Sequence, residues 1–294
     1  MKKLLYKIIS KLGYRIENKS TPRQQLIKPL LKYSQLQNFN IIVLAKNYVL
    51  NLEERFSDFT IDNHKDGFLV SFDGLKMYIE SLEEFHILNE VFVKQDYGFK
   101  TNDRSILIDI GVNIGTTSLF FSKYQYIDKI YGFEPVEATY NQAKYNLELN
   151  KGIHKVELIK NVGLGKNDRK ETFSFSSKIK GNTGLRGTLS PSYSQADSTS
   201  EIEVQLKDAS VELSKIIDAN DNKKIIVKMD CEGAEYEILE NLKASNVLNK
   251  IDVILLEWHD DGYELIEQIL LEARFNFITQ NINSISGMVY AYKF

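Results

Sequence analysis

The sequence has almost no cysteine, no excess of positive charge and no long apolar run. A single cysteine among 294 residues, Cys231, excludes an intrachain disulfide framework and fits a reducing compartment. The 40 acidic side chains outnumber the 37 basic ones, which argues against a general nucleic-acid-binding protein. No apolar stretch approaches the roughly 20 residues of a membrane-spanning helix. These absences lead us to expect a cytoplasmic globular protein with no nucleic-acid partner.

Residues 1–17 form a basic stretch with an apolar face. Its apolar residues recur at the spacing of one helical face: Leu4, Leu5, Ile8, Ile9 and Leu12. Lys7 interrupts the apolar region and no cleavage site follows, so the stretch is not a secretory signal peptide. We expect a helix that docks on the body of the protein. The alternative is peripheral contact with an anionic membrane, at the inner membrane surface.

Residues 1–98 are expected to form an N-terminal α+β accessory region. Asp73-Gly74 lies between two apolar runs, which is a strong signal for a β-hairpin. The other patterns predict, in chain order, a helix over 23–36, a strand over 40–52 and a helix over 82–95. No residues in this region have the spacing of metal ligands. We therefore expect it to cover the core or to shape a substrate site.

Residues 105–122 predict a strand, a glycine turn and a helix. The strand is a short apolar run: Ile106, Leu107, Ile108 and Ile110. Gly111 and Gly115 follow, with Asn113 between them, and glycines let a ligand approach the backbone closely. The N–H groups at the start of the helix can donate hydrogen bonds to a polar or anionic ligand. Asp109, at the end of the strand, can accept hydrogen bonds from a hydroxyl or an ammonium group.

A second predicted strand ends in a carboxylate. Glu134 stands just before Pro135 and 25 positions after Asp109. In nucleotide-binding α/β sheets an acidic residue at about this spacing holds the ribose hydroxyls. A carboxylate suits that task because it accepts hydrogen bonds from both hydroxyls at once. The alternative is a solvated acid at the end of a strand.

From residue 105 onward strands and helices alternate, which predicts an α/β domain with a mostly parallel sheet. Ligands of such sheets bind beyond the carboxyl ends of the strands. Polar side chains follow five predicted strands: Asp109 with Asn113, Glu134, Asn161, Asp230 with Glu232, and Glu257 with His259. A purely structural sheet does not need a carboxylate or amide at every strand end. We therefore expect these side chains to surround one site.

The acidic residues and the histidine at the last two strand ends are the candidates for catalysis. Asp230 and Glu232 suit a general base or an oxygen-rich cation site. His259 has an intrinsic pKa suited to accepting a proton near neutral pH. The candidate catalytic residues are thus Asp230, His259 and Glu232, and a divalent cation held by Asp230 and Glu257 is an alternative. Glu232 also fits a plain helix N-terminal charge.

Three motifs together resemble the FkbM family of S-adenosylmethionine-dependent methyltransferases. They are Asp109-x-Gly111-x-Asn113-x-Gly115, Phe133-Glu134-Pro135 and Lys228-Met229-Asp230-Cys231-Glu232-Gly233-Ala234-Glu235. The third motif is the most specific, whereas many methyltransferases share the first. Cys231 stands where the family usually has an aliphatic residue. The resemblance extends over roughly residues 88–294.

The resemblance implies a Rossmann-like class I methyltransferase domain over residues 99–294. Its sheet would be mostly parallel and seven-stranded, with the last strand antiparallel, and its cofactor would be S-adenosylmethionine. The implied cofactor residues are Asp109, Gly111, Asn113 and Gly115 at the methionine part, Glu134 with Pro135 at the ribose, and Asn161 with Val162 at the adenine. Family members methylate hydroxyl oxygens, often on sugars or polyketides. The expected acceptor is therefore a hydroxyl, in a sugar of a glycan or polysaccharide.

Two other functions stay open. An NAD(P)-dependent oxidoreductase shares the glycine turn and the ribose acid, and Tyr140 with Lys144 mimics a dehydrogenase pair. However, Gly111-x-x-x-Gly115 lacks the G-x-G-x-x-G order. The tyrosine also follows Glu134 by only 6 residues, too early for such an enzyme. The second alternative is a non-catalytic glycan-binding protein on a methyltransferase scaffold.

Overall fold

The structure, a computed structural model, describes residues 27–186 and 199–293. The predicted amphipathic helix over residues 1–17 lies outside these ranges. None of the helices within them combines the length and apolar character that spanning a lipid bilayer requires.

The accessory region is built from short helices and a three-stranded antiparallel sheet. Its elements are a 3-10 helix (Lys28–Tyr33), α1 (Phe39–Leu44), α2 (Lys46–Arg55), β1 (Thr60–His64), β2 (Gly67–Phe72), β3 (Leu75–Ile79), α3 (Leu82–Leu88) and a π-helix (Asn89–Lys94). The predicted helix over 82–95 is present as α3 and the π-helix.

The hairpin predicted at Asp73-Gly74 is confirmed, and the strand predicted over 40–52 is wrong. Phe72 pairs with Leu75 across a two-residue turn in which Asp73 and Gly74 both have positive φ, as such hairpins require. Residues 40–52 are helical instead, in α1 and α2. The local β-branched run suggests a strand, but the buried residues recur at helical spacing: Ile42, Ala45, Val49 and Leu52.

The rest of the chain alternates strands and helices. Its elements are β4 (Ser105–Ile110), α4 (Thr116–Ser122), β5 (Ile127–Phe133), α5 (Glu137–Leu149), β6 (Val156–Lys160), β7 (Gly163–Gly165), β8 (Arg169–Phe175), a 3-10 turn (Lys180–Asn182), β9 (Ser200–Asp208), α6 (Ala209–Asp218), β10 (Lys224–Met229), α7 (Glu235–Ala244), a 3-10 turn (Val247–Lys250), β11 (Val253–His259), α8 (Glu264–Glu272), β12 (Asn276–Asn281) and β13 (Ser286–Tyr292).

Seven of these strands form the main sheet, in the order β12-β13-β11-β10-β4-β5-β6. The pairs β10–β11, β10–β4, β4–β5 and β5–β6 are parallel, whereas β13 is antiparallel to both of its neighbours. The predicted class I methyltransferase fold with an antiparallel last strand is confirmed. The interior strand β4 is buried along its whole length, as its apolar sequence predicts.

A small second sheet, in the order β7-β9-β8, is formed by strands that come after β6 in the chain. Its buried apolar side chains are Leu164, Phe173, Val204 and Leu206. The alternating patterns of the sequence predict β8 and β9, but not β7, which has three residues.

The accessory region packs directly on the main sheet, because one apolar cluster contains residues of both. Phe68 and Phe85 of the accessory region share this cluster with Leu107 and Ile130 of the sheet.

A row of amides on one face of α5 completes this contact. Asn146 accepts a hydrogen bond from the N–H of Tyr78 at 2.7 Å, and Asn150 both accepts from and donates to the backbone of Lys76. Gln142 donates to the carbonyl of Tyr78. These side chains satisfy the edge of β3 as another strand would, so a buried strand edge is left without unpaired backbone groups.

Candidate active site

A cleft opens at the carboxyl ends of β4, β5 and β10, where the sheet topology predicts a ligand site. Six of the residues singled out from the sequence line it: Gly111, Asn113, Glu134, Pro135, Asp230 and Glu232. Asp109, Asn161, His259 and Glu257 are close to these residues without lining the cleft themselves.

Gly111 brings the ends of β4 and β10 together. Its φ is +79°, and a Cβ atom at this position would lie 1.8 Å from the carbonyl oxygen of Asp230. Only glycine fits such an approach of two backbones. Asn113 and Glu232 hold left-handed conformations as well, with φ of 53° and 51°. Positive φ is uncommon for residues other than glycine, and both of these residues line the cleft.

Glu134 is held by the backbone of two turns. The N–H of Asn113 donates to its Oε2 at 2.9 Å, and the N–H of Val136 donates to its Oε1 at 3.0 Å. Burial raises the pKa of Glu134 to about 7, although both N–H groups favour the ionised form. Each carboxylate oxygen has a second lone pair, so the group keeps capacity to accept hydrogen bonds from a ligand.

Asp109 lies beneath the glycine turn, fully buried. Ser118 donates to its Oδ2 at 2.6 Å, and Nζ of Lys228 lies 3.4 Å from its Oδ1. Lys228 also donates to the carbonyl of Gly111 at 2.6 Å. Burial opposes the charge of Lys228, but Asp109 and Asp230 outweigh that effect and raise its pKa. Asp109 and Lys228 thus support the turn from below.

Gly115 and Asn161 fix the backbone around the cleft. Gly115 is the N-cap of α4, with φ of +91°. The amide of Asn161 donates to the carbonyl oxygens of Glu134 and Pro135, at 3.0 and 3.1 Å. Val162 packs against the apolar core beside them.

The apolar end of the cleft comes from residues that the sequence reasoning missed. Leu164, Phe173 and Leu206 of the small sheet line it, next to Phe133 and Pro135. The signal available in the sequence was the alternation of β8 and β9, which shows an apolar face but not what that face covers.

His259 lies among carboxylates behind the cleft. Its Nδ1 is 3.0 Å from Glu235, and its Nε2 is 3.6 Å from Glu232 and 3.8 Å from Glu257. Burial lowers the pKa of His259, but the hydrogen bond and charge of Glu235 and the charges of Glu232 and Asp230 outweigh burial and raise it to about 10. The ring is therefore an imidazolium at neutral pH. Burial raises the pKa of Glu232 to about 7, and burial with the Asp230 charge raises that of Glu257 well above its ordinary range.

Tyr97 of the accessory region reaches the same place. Its hydroxyl donates to Oδ2 of Asp230 at 2.9 Å and lies 3.4 Å from Oε2 of Glu257. The phenol thus lies between the two carboxylates that were predicted to share a divalent cation. Asp230, Glu232 and His259 each place one potential ligand atom within 4.8 Å of the others. The divalent cation stays a prediction.

One further wall of the cleft is a segment that we call the closing loop, residues 176–186. Lys180 is buried, and its Nζ lies 2.5 Å from Glu80 and 3.0 Å from Glu84. Glu83 of α3 accepts from the N–H of Gly181 and from the amide of Asn182, at 3.1 and 2.7 Å.

Arg186 fastens the other end of the closing loop. It makes two hydrogen bonds of 2.8 Å with Asp260 and one of 3.0 Å with Glu232. Arg186 thus lies beside the cleft, bound to one of the residues that line it.

Comparison with known proteins supplies the family. Residues 109–277 match the family described as Methyltransferase FkbM domain. Methyltransferase 1 of Beauveria bassiana is 25% identical over 205 residues, which are 65% of this chain and 74% of that protein. Methyltransferase sdnD of Sordaria araneosa is 25% identical over 238 residues, 72% of this chain and 90% of that protein.

Solved structures with a similar fold include a methyltransferase FkbM from Methylobacillus flagellatus KT, 12% identical with a TM-score of 0.45. That likeness covers 85% of this chain, which spans 60% of the other chain's length. An rRNA methylase from Streptococcus thermophilus is 14% identical with a TM-score of 0.37, over 71% of this chain and 92% of that one. The absence of a nucleic-acid partner stays a prediction. The family match extends over more than half of the sequence, so the chain belongs to the FkbM family and is a methyltransferase that uses S-adenosylmethionine.

Proposed function

We propose that this methyltransferase acts on oxygen, transferring the methyl group of S-adenosylmethionine to a hydroxyl of a sugar in a glycan or polysaccharide. The observation that carries the proposal is the position of Asp230. It lines the same cleft as Gly111, Asn113 and Glu134, and its side chain is 30% exposed. A hydroxyl is a poor nucleophile at neutral pH, so a base beside the methyl donor is what its methylation needs.

The cofactor would occupy the cleft along its length. We assign the methionine part to the turn of Gly111 and Asn113, which Asp109 supports from below. The ribose hydroxyls would donate to Glu134, which the backbone already orients. The adenine would lie at the apolar end, against Leu164 and Phe173.

The acceptor oxygen would attack the sulfonium methyl group in line with the breaking carbon–sulfur bond. A new carbon–oxygen bond forms, S-adenosylhomocysteine leaves, and Asp230 takes the hydroxyl proton. Asp230 suits this role better than His259, because an imidazolium has no free site for a proton. Glu232 is less suited, since Arg186 already binds it. Much of the acceleration would come from the alignment of the two substrates.

A sugar fits the acceptor side because it offers several hydroxyl donors. Asp230 lines the cleft there, and Glu257 and Glu90 are carboxylic acids on neighbouring elements that do not line it. Such groups accept hydrogen bonds from a polyol.

The two alternatives differ in what they predict. Membership of the FkbM family removes the support for an oxidoreductase, and Tyr140 and Lys144 lie on α5 without lining the cleft. A non-catalytic glycan-binding protein on the same scaffold would bind a glycan and, at most, the cofactor, without transfer.

Calorimetry and a methyl-transfer assay test the proposal. We expect S-adenosylmethionine to bind and NADH not to bind. With methyl-labelled cofactor, label should appear on oxygen in a panel of neutral oligosaccharides and small alcohols, and not in RNA. Transfer to nitrogen or carbon instead of oxygen would contradict the proposal. Glycan binding without any transfer would favour the non-catalytic alternative.

A further inference from the structure

Tyr97 belongs to the accessory region but contacts the proposed base. Its side chain is buried, with 5% of its surface exposed, and its hydroxyl reaches Asp230 across 133 positions of sequence. The next carboxylate, Glu257, is farther from the hydroxyl, at 3.4 Å. A phenol has one proton to donate, and the shorter contact assigns that proton to Asp230.

The backbone around Tyr97 is fixed on both sides. The π-helix Asn89–Lys94 ends at Gln95, which has a left-handed φ of 60°. The N–H of Gly98 then closes a turn on the carbonyl of Gln95 at 2.7 Å. Tyr290 of β13 donates to the carbonyl of Asp96 at 2.8 Å. Local π-helical geometry occurs often at functional sites, and here it places one side chain against the main sheet.

The ring and the hydroxyl of Tyr97 have different partners. Nζ of Lys228 lies 5.3 Å from the centroid of the ring, within the range of a cation–π contact. Burial and the charges of Asp230 and Glu257 raise the pKa of Tyr97 well above its ordinary value. The phenol therefore keeps its proton and acts as a donor.

We propose that Tyr97 is a positioning residue for methyl transfer, which orients the carboxylate of Asp230 by occupying its Oδ2. The other oxygen, Oδ1, is then left for the proton of the acceptor. The hydroxyl also stands between Asp230 and Glu257 and keeps these two acids apart. This inference rests on the proposed role of Asp230 as base. It makes the accessory region a part of the active site rather than a cover for it.

The substitution Tyr97→Phe tests the inference, because it keeps the ring and its contact with Lys228 and deletes the hydroxyl. We expect kcat to fall roughly ten- to a hundredfold, a part of what a general base contributes. The KM of the acceptor and the Kd of S-adenosylmethionine should stay within about twofold, since the hydroxyl contacts neither. Tyr126→Phe is the matched control. It removes a phenol hydroxyl that donates to the carbonyl of Phe99, before the start of β5 and away from the cleft.

A second readout does not depend on turnover. In protein labelled with ¹³C at aspartate carboxyls, the Asp230 signal is identified by its loss in Asp230→Asn. That signal should move in Tyr97→Phe and stay in place in Tyr126→Phe. An unmoved signal, an unchanged kcat, or equal losses of kcat in both tyrosine variants would overturn the inference. If the wild type methylates nitrogen and Tyr97→Phe still loses kcat alone, the acceptor class is wrong and the positioning role stands.

Discussion

The cleft has two walls that are held by different forces. On one wall, Gly111, Asn113 and Glu134 follow directly from strands of the main sheet, and backbone N–H groups fix the carboxylate. On the other wall, Lys180 and Gly181 of the closing loop are fixed by acids of the accessory region. The comparison teaches that the first wall is set by topology, whereas the second depends on buried charge and therefore on pH.

The largest effect is expected on the first wall, at Asp230. Asp230→Asn keeps the shape of the side chain and removes its ability to take a proton, so turnover should fall about a hundred- to ten-thousandfold. The Kd of S-adenosylmethionine should change little, because the rest of the cofactor wall is intact. Single-turnover kinetics with calorimetry separates the two quantities.

Asp252→Asn is the control for that substitution. Asp252 accepts from the N–H of Ile225, at the start of β10 and therefore at the opposite edge of the sheet. It should leave turnover unchanged. Full activity of Asp230→Asn would show that Asp230 is not the base. The base would then have to be sought on the second wall of the cleft.

Glu134 should give the next largest effect, on cofactor affinity. The pKa of Glu134 is raised to about 7, so its ionised form grows as pH rises from 6 to 8. Ribose hydroxyls donate more strongly to the ionised form. The Kd of S-adenosylmethionine should therefore fall across this range, and Glu134→Gln should raise it about tenfold at pH 8 and remove the pH dependence.

Glu137→Gln provides the comparison for Glu134→Gln, because Glu137 is an exposed acid on the first turn of the next helix. Its calorimetric titration should match that of the wild type at every pH. A Glu134→Gln variant with the wild-type Kd at pH 8 would exclude Glu134 as the ribose acceptor.

The first wall could be predicted from the sequence, because its logic is local. Apolar runs mark the strands, and polar residues at their ends necessarily meet at one edge of a parallel sheet. Gly111, Asn113, Glu134, Asp230 and Glu232 indeed line one cleft. The contacts that support these residues from behind the cleft could not be predicted. The sequence does not show that Asp109 lies under the turn with Lys228, or that carboxylates hold His259 as a cation.

The second wall and the contact of Tyr97 with Asp230 could not be predicted, because both depend on contacts between distant segments. Tyr97 meets Asp230 only when the accessory region is docked, and nothing near Tyr97 in sequence marks it. The sequence does contain a pattern that indicates the docking of the accessory region. Gln142, Asn146 and Asn150 recur every four residues along α5 and its C-cap, and a helix covered only by apolar contacts has no need of such a row of amides.

The smallest effect should come from the second wall, at Glu83. Burial raises the pKa of Glu83 to about 8, while Gly181 and Asn182 oppose the shift. A group whose pKa is raised by closure binds its proton more tightly in the closed state. The closed loop is thus most stable below the ordinary pKa of a glutamate and loses stability as pH rises towards 8.

Glu83→Gln imitates the protonated acid, so at pH 6 the amide of Gly181 should exchange its hydrogen at nearly the same rate in the variant and in the wild type. At pH 9 the amide of Gly181 should exchange its hydrogen several-fold more slowly in the variant than in the wild type, because only the wild type has gained a buried charge. Comparing the two proteins at the same pH cancels the intrinsic pH dependence of exchange. If the ratio of the two Gly181 exchange rates, wild type to variant, is the same at pH 6 and pH 9, the stability of the closing loop does not depend on the ionisation of Glu83. The second wall would then depend no more on buried charge than the first.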